Sequence, residues 1–180
     1  MPVQFPLPGL SLPCPPVSHP AEVQLSAYPA VSPAVLSRHA KLLGAAGEAL
    51  VDSHLGRWGM LSLPVPESLP YDRLVVIGRT LLRVQVKTAS VARGGAFNFE
   101  IAQGYRGAPA GVRGYAADAF DLLALVVLPH NAVAFTADLG RRHRLPVAAI
   151  PGLLAAPRAS LARALDALGL PEAVPAPRIA

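Results

Sequence analysis

The chain has 180 residues, 52% of them hydrophobic, which is enough for one domain around a single core. Its formal net charge of +5 favours a polyanionic partner such as nucleic acid over an acidic protein surface, although an arginine-, alanine- and proline-rich composition can also follow from genomic base composition. Cys14 is the only cysteine, which excludes an intramolecular disulfide and a cysteine-based zinc site and makes a reducing cytoplasm the expected compartment.

Residues 1–33 are dense in proline and hold Glu22 as their only charge, so they predict a disordered or polyproline-type tail. They lack the basic start of a signal peptide, and no uncharged apolar run in the chain is long enough to span a bilayer, so no membrane partner is expected. From Ala34 to about Trp58 the residues Leu36, Ala40, Leu43, Gly47, Leu50, Val51 and His54 recur at three- and four-residue steps, predicting a helix. Gly44 and Gly47 would each cost an isolated helix about 1 kcal/mol relative to Ala. They make sense if this face packs closely on a sheet. Glu48 lies at the edge of the buried stripe, and Asp52, one turn further, reads as an exposed acid or a supporting group.

Met60 to Val65 predicts a short strand, and residues 67–70 a loop that delivers Tyr71 and Asp72. The stretch Tyr71 to Thr88 then reads as a β-hairpin around Gly78-Arg79, because Gly at the first central position suits a type II′ turn. If those two residues are the loop, Ile77 faces Thr80, and counting back puts Asp72 opposite Gln85. Asp72, Gln85 and Lys87 therefore share one face of the sheet, while Leu82, Val84 and Val86 take the other. Lys41 and Lys87 are the only lysines in a chain that otherwise uses arginine. A compact ammonium at position 87 suits work beside a scissile group better than a planar guanidinium does.

Beyond the hairpin, Arg93, Gly94 and Gly95 predict a turn, and Phe97, Phe99 and Ile101 alternate with Asn98 and Glu100 as a strand. Residues 103–115 form a glycine-rich basic loop with Tyr105, Arg106, Arg113 and Tyr115, lacking the G-K-[ST] ending of a P-loop. Asp121 to Leu128 is a near-continuous apolar run expected of a central strand, and Ala132 to Thr136 adds another to complete the sheet. Arg141, Arg142, His143 and Arg144 make the densest basic cluster, either a DNA-backbone contact or a solvated face. Arg158 to Leu168 predicts a short amphipathic helix ended by Gly169. The expected organisation is a tail over 1–33, one α/β domain over 34–145, and a C-terminal helix and tail over 146–180.

An acid in an early helix (Glu48), an Asp at the start of a strand (Asp72) and Gln85-Val86-Lys87 on the next strand together resemble the PD-(D/E)XK nuclease superfamily. The run Lys41-Leu-Leu-Gly44-Ala-Ala-Gly47-Glu48 is similar to the helix carrying the first acid in the archaeal resolvase-like branch. Gln85 departs from the usual Asp or Glu. The Q-x-K version resembles the subgroup that includes a cyanobacterial group I intron homing endonuclease. The likeness covers roughly Ser37 to Thr136. It implies an α/β fold with a restriction-endonuclease-like core: an N-terminal helix, a mixed β-sheet with a central hairpin, and flanking helices.

It also implies a metal-dependent DNA endonuclease, with Glu48, Asp72, Gln85 and Lys87 as catalytic residues and a homodimer as a common assembly. The resemblance assigns Mg2+, or Mn2+ in its place, to Asp72, the Gln85 side-chain oxygen, the Val86 carbonyl and Glu48, a set suited to a cation that needs few protein oxygens. Lys41, Arg93, Arg106, Arg113 and Tyr105 are the candidate DNA contacts. His39, His54, His130 and His143 lack metal-ligand spacing, and no G-x-S-x-G elbow is present. The rival readings are a nuclease-fold DNA-binding module that does not cleave, and a protein-interaction domain in which Asp72 and Lys87 form a structural ion pair.

Overall fold

The structure, a computed structural model, describes residues 25–104 and 111–170. The proline-rich residues 1–24, the loop residues Tyr105 and Arg106, and the end of the chain from 171 onward lie outside the described residues. Ser32 caps the first helix, α1 (Pro33–Arg38), by accepting from the Val35 N–H, and Pro33 opens it. The second helix, α2 (Ala40–Arg57), follows after His39 alone. The single helix expected from Ala34 is thus bent at His39. Its hydrogen-bond ladder continues across the bend, from His39 N to Val35 O (3.1 Å) and from Leu43 N to His39 O (3.0 Å).

Five strands form the main sheet: β1 (Leu61–Pro64), β2 (Arg73–Ile77), β3 (Thr80–Ala89), β5 (Leu122–Val127) and β6 (Ala132–Thr136), in the order β1-β2-β3-β5-β6. The hairpin has the register expected from its turn, with Ile77 opposite Thr80 and Arg73 opposite Val84. Gly78 takes φ +60, the conformation that a type II′ turn demands at that position. β3 and β5 are parallel and every other pair is antiparallel, so the sheet is mixed.

The crossover between β3 and β5 holds β4 (Ala96–Glu100). This strand does not join the main sheet. It pairs instead with β7 (Arg142–Pro146), a strand made from the cluster read in sequence as a basic surface run. The reason is alternation: His143 and Leu145 are partly buried while Arg142 and Arg144 are exposed, a half-buried pattern masked by the density of charge. Two further helices, α3 (Ile150–Ala155) and α4 (Ala159–Ala167), close the chain.

The main sheet is covered on both faces. On one side Val51 and Leu55 of α2 and Leu161 and Leu165 of α4 pack on Val75, Val84 and Val86. On the other, Phe97 and Phe99 of the small sheet and Ile150 of α3 pack on Leu123, Leu125 and Val127. That double cover explains why every residue of β5 is buried. Gly47 lets α2 approach β3, since a Cβ there would run into the Thr88 hydroxyl; Gly44 meets nothing and only lines a cleft. Among the described residues no helix is long and apolar enough to cross a membrane.

Candidate active site

The hairpin register decides where Asp72 goes. Its N–H donates to the Val84 carbonyl at 3.0 Å, one residue ahead of β2, whose first residue Arg73 is paired with the same Val84. The carboxylate then accepts from the Gln85 amide (2.6 Å) and from the Val86 N–H (2.7 Å), both at Oδ2. The same Gln85 nitrogen donates to the Val86 carbonyl at 3.2 Å. Gln85 is buried. Burial pushes the Asp72 carboxyl above its ordinary range, against the Val86 N–H and the Lys87 charge, which pull it down.

Glu48 reaches the same place from α2. The cleft at the end of the hairpin is lined by Glu48, Asp72, Gln85, Tyr115, Gly44 and Lys41, among others. Burial raises the pKa of Glu48, and the facing Asp72 charge raises it further. Glu48 is tied to Arg73, whose Nη1 donates to it at 2.9 Å. Arg73 also donates through Nε to Asp52 (2.8 Å) and through Nη1 to the Asp72 carbonyl (2.8 Å). Ser62 donates to Asp52 at 2.7 Å. Asp52, one of whose readings was an exposed acid, is therefore a partly buried anchor for Arg73.

Lys87 stands apart from the acids. Its ammonium donates to the Ala102 carbonyl (2.9 Å) and to the Tyr115 hydroxyl (3.0 Å), and it lies 5.1 Å from the centre of the Tyr115 ring. Phe120 holds that ring edge-on at 5.1 Å. Lys87 does not line the cleft itself; Tyr115 does, and connects the two. Among the described residues no ion pair joins Asp72 to Lys87.

The other predicted contacts are dispersed. Lys41 sits exposed at the cleft rim, 3.3 Å from Glu67. Arg93 and Arg113 are exposed, the latter bonded through its backbone to Gln103 beside the cleft. Tyr105 and Arg106 lie outside the described residues. Sequence reasoning missed Arg73 and the role of Tyr115. Arg73 had a signal: it shares the inward face of β2 with Val75 and Ile77, and a charge at an inward position needs a partner. Tyr115 had none beyond its place in a glycine-rich basic loop.

Among the described residues no three His, Cys, Asp or Glu side chains converge as a metal cluster. The oxygens that could hold a cation are fewer. Asp72 Oδ2 and the Val86 carbonyl are aimed at one donor, the Gln85 nitrogen. Rotation of that amide would offer its oxygen instead. One carboxylate with two neutral oxygens, and Glu48 across the cleft, fits a hard cation that keeps several waters and takes the rest of its ligands from a phosphate.

Compared with solved structures, the chain is similar to a bacterial homing endonuclease, I-Ssp6803I. The TM-score is 0.51 at 19% sequence identity, over 58% of this chain and 76% of that one. The fold is endonuclease-like. No protein-family model matches the chain, and no curated protein does. In this chain the mixed sheet and its flanking helices bring Glu48 on α2 and Asp72 and Gln85 at the hairpin to one cleft.

Proposed function

We propose that this chain is a magnesium-dependent DNA endonuclease of the PD-(D/E)XK type with a Q-x-K catalytic strand. The observation that carries the reading is the pairing of charges with neutral partners. Asp72 is satisfied by N–H donors of the neutral Gln85 and Val86, and Lys87 by the neutral oxygens of Ala102 and Tyr115. Each charge is held in place without a counter-charge bonded to it. A metal ion with a phosphate would supply both.

Asp72, the Gln85 side-chain oxygen and the Val86 carbonyl would hold the magnesium, with Glu48 acting from α2. Bound there, the ion would neutralise charge on the scissile phosphate. The remaining work falls to the chain. Asp72 and Glu48 orient the attacking water by accepting its protons. As the water oxygen bonds to phosphorus, one of its protons passes to the Glu48 carboxylate, the bond to the leaving oxygen breaks, and that oxygen is protonated by a solvent water. Lys87 offers its ammonium to the phosphate oxygens, and the phosphate takes the place of the Tyr115 hydroxyl as its acceptor. Arg73 fixes the Glu48 carboxylate from behind and touches no substrate.

A second reading is favoured by one feature. Gln85 is neutral and Glu48 is committed to Arg73, which leaves Asp72 as the one carboxylate of the set not paired with a cation. A DNA-binding module with the same fold and no cleavage accords with that.

The test is incubation of supercoiled plasmid and branched DNA with the purified protein in magnesium, in manganese and in chelator, alongside Asp72→Ala and Lys87→Ala. Metal-dependent cutting that both variants lose is expected. Cutting at the wild-type rate in either variant would sink the site assignment. No cutting by the wild type, with DNA binding retained, would favour the second reading.

A further inference from the structure

We propose that the exposed face of the β4–β7 ribbon carries the duplex beyond the cleft, with Arg142 and Arg144 contacting its phosphates. This rests on the nuclease reading of the cleft. Arginines with a structural task in this fold are committed to acids: Arg73 to Glu48 and Asp52, and Arg83 to Asp121. Arg142 and Arg144 are different. Both are exposed on one face of β7, and among the described residues neither forms an ion pair, even though Glu100 stands opposite Arg142 in the ribbon. Arg144 is steadied by donating to the Gly94 carbonyl at 3.0 Å. Asn98, opposite Arg144, is exposed beside it.

The ribbon is continuous with the site. Ile101 donates its N–H to the Arg141 carbonyl at 2.9 Å, and the carbonyl of the next residue, Ala102, accepts from Lys87. Arg142 pairs with Glu100, two strand residues from Ala102 or about 7 Å, and Arg144 is about 7 Å further along. Arg141 bridges the two regions, since its Nε lies 4.0 Å from where a Gly114 Cβ would be, next to the cleft residue Tyr115. A row of guanidinium groups against one carboxylate leaves this face positive. Such a row suits a polyanion whose charges repeat along a line, and it positions the duplex without reading its sequence.

The experiment measures affinity for a short duplex across a salt series, in chelator so that nothing is cut. The wild type is compared with the double variant Arg142→Ala/Arg144→Ala, with Arg142→Lys/Arg144→Lys, and with Arg57→Ala on the opposite side of the main sheet. Each phosphate contact adds about 0.9 to the slope of log affinity against log salt, so the alanine pair should lower the slope by about 2. Between about 50 and about 200 mM salt the wild type should then lose about tenfold more affinity than the alanine pair. The lysine pair and Arg57→Ala should keep the wild-type slope. An unchanged slope in the alanine pair, with the wild type binding, would overturn this inference and leave the nuclease reading intact. A wild type that binds no duplex at low salt would overturn the nuclease reading, and this inference with it.

Discussion

Replacing Arg73 with Met keeps an unbranched side chain in the same buried space and removes the charge that two carboxylates share. Arg73 is 8% exposed and makes contacts at 2.8 and 3.1 Å to Asp52, 2.9 Å to Glu48 and 2.8 Å to the Asp72 carbonyl. Removing one partner of a buried ion pair typically costs about 3–5 kcal/mol, because the other is left desolvated. Here the side chains of Glu48 and Asp52 are 32% and 35% exposed, so water recovers part of that. A loss of about 3 kcal/mol is expected, which for a chain of this size corresponds to roughly 6–12 °C in melting temperature. Glu48 and Asp52 would then face each other uncompensated. The deficit should be largest at neutral pH and shrink on acidification, as Glu48 takes up a proton at its raised pKa. Urea unfolding of the two proteins from neutral to mildly acidic pH is the assay. A variant within about 0.5 kcal/mol of the wild type throughout would refute the argument that Arg73 holds this network.

Two further perturbations test neighbouring groups. Gln85→Glu exchanges an amide donor for a second carboxylate beside Asp72. It should lower stability without metal and enlarge the rise in melting temperature on adding magnesium; equal rises in the two proteins would mean that residue 85 is not a ligand. Asp121 is hydrogen-bonded by Arg83 at 2.7 and 3.0 Å, which depresses its pKa. A depressed carboxyl adds stability above its unfolded pKa, near 4, and that stability is lost as pH falls through the lower folded value. Asp121→Asn should therefore flatten the acid limb of a stability profile below about pH 4, and a variant whose limb matches the wild type would contradict the assignment.

Those features that local rules determine were legible in the sequence. Gly78 at the first position of a two-residue loop sets the hairpin register, and the Asp72 carboxylate and Gln85 amide that the register brings near each other are hydrogen-bonded. The small residue Gly47 announced the close approach of α2 to β3, because nothing larger fits against Thr88. What was not legible depends on packing between distant segments. The pairing of β4 with β7 joins stretches separated by the whole of β5 and β6, and the arginines of β7 hid its alternation. Tyr115 acquires its partner only when Ala102 and Phe120 have shaped the end of the cleft around Lys87.

The partners chosen at the hairpin argue against a structural ion pair between Asp72 and Lys87. An Asp and a Lys retained for stability would be expected to meet, because their mutual attraction offsets the cost of removing both from water. Asp72 and Lys87 form no ion pair with each other among the described residues; each is bonded to dipoles instead. Neutral donors and acceptors fix position while leaving the charge uncancelled, which costs stability and strengthens the pull of such a group on an ion. The lysine also has a geometric reason. A compact ammonium can point separate N–H groups at the Ala102 carbonyl and the Tyr115 hydroxyl, which belong to different residues, whereas a guanidinium at position 87 would present a fixed planar fork. In a chain that uses arginine almost everywhere, lysine at this position accords with the two separate acceptors it bonds.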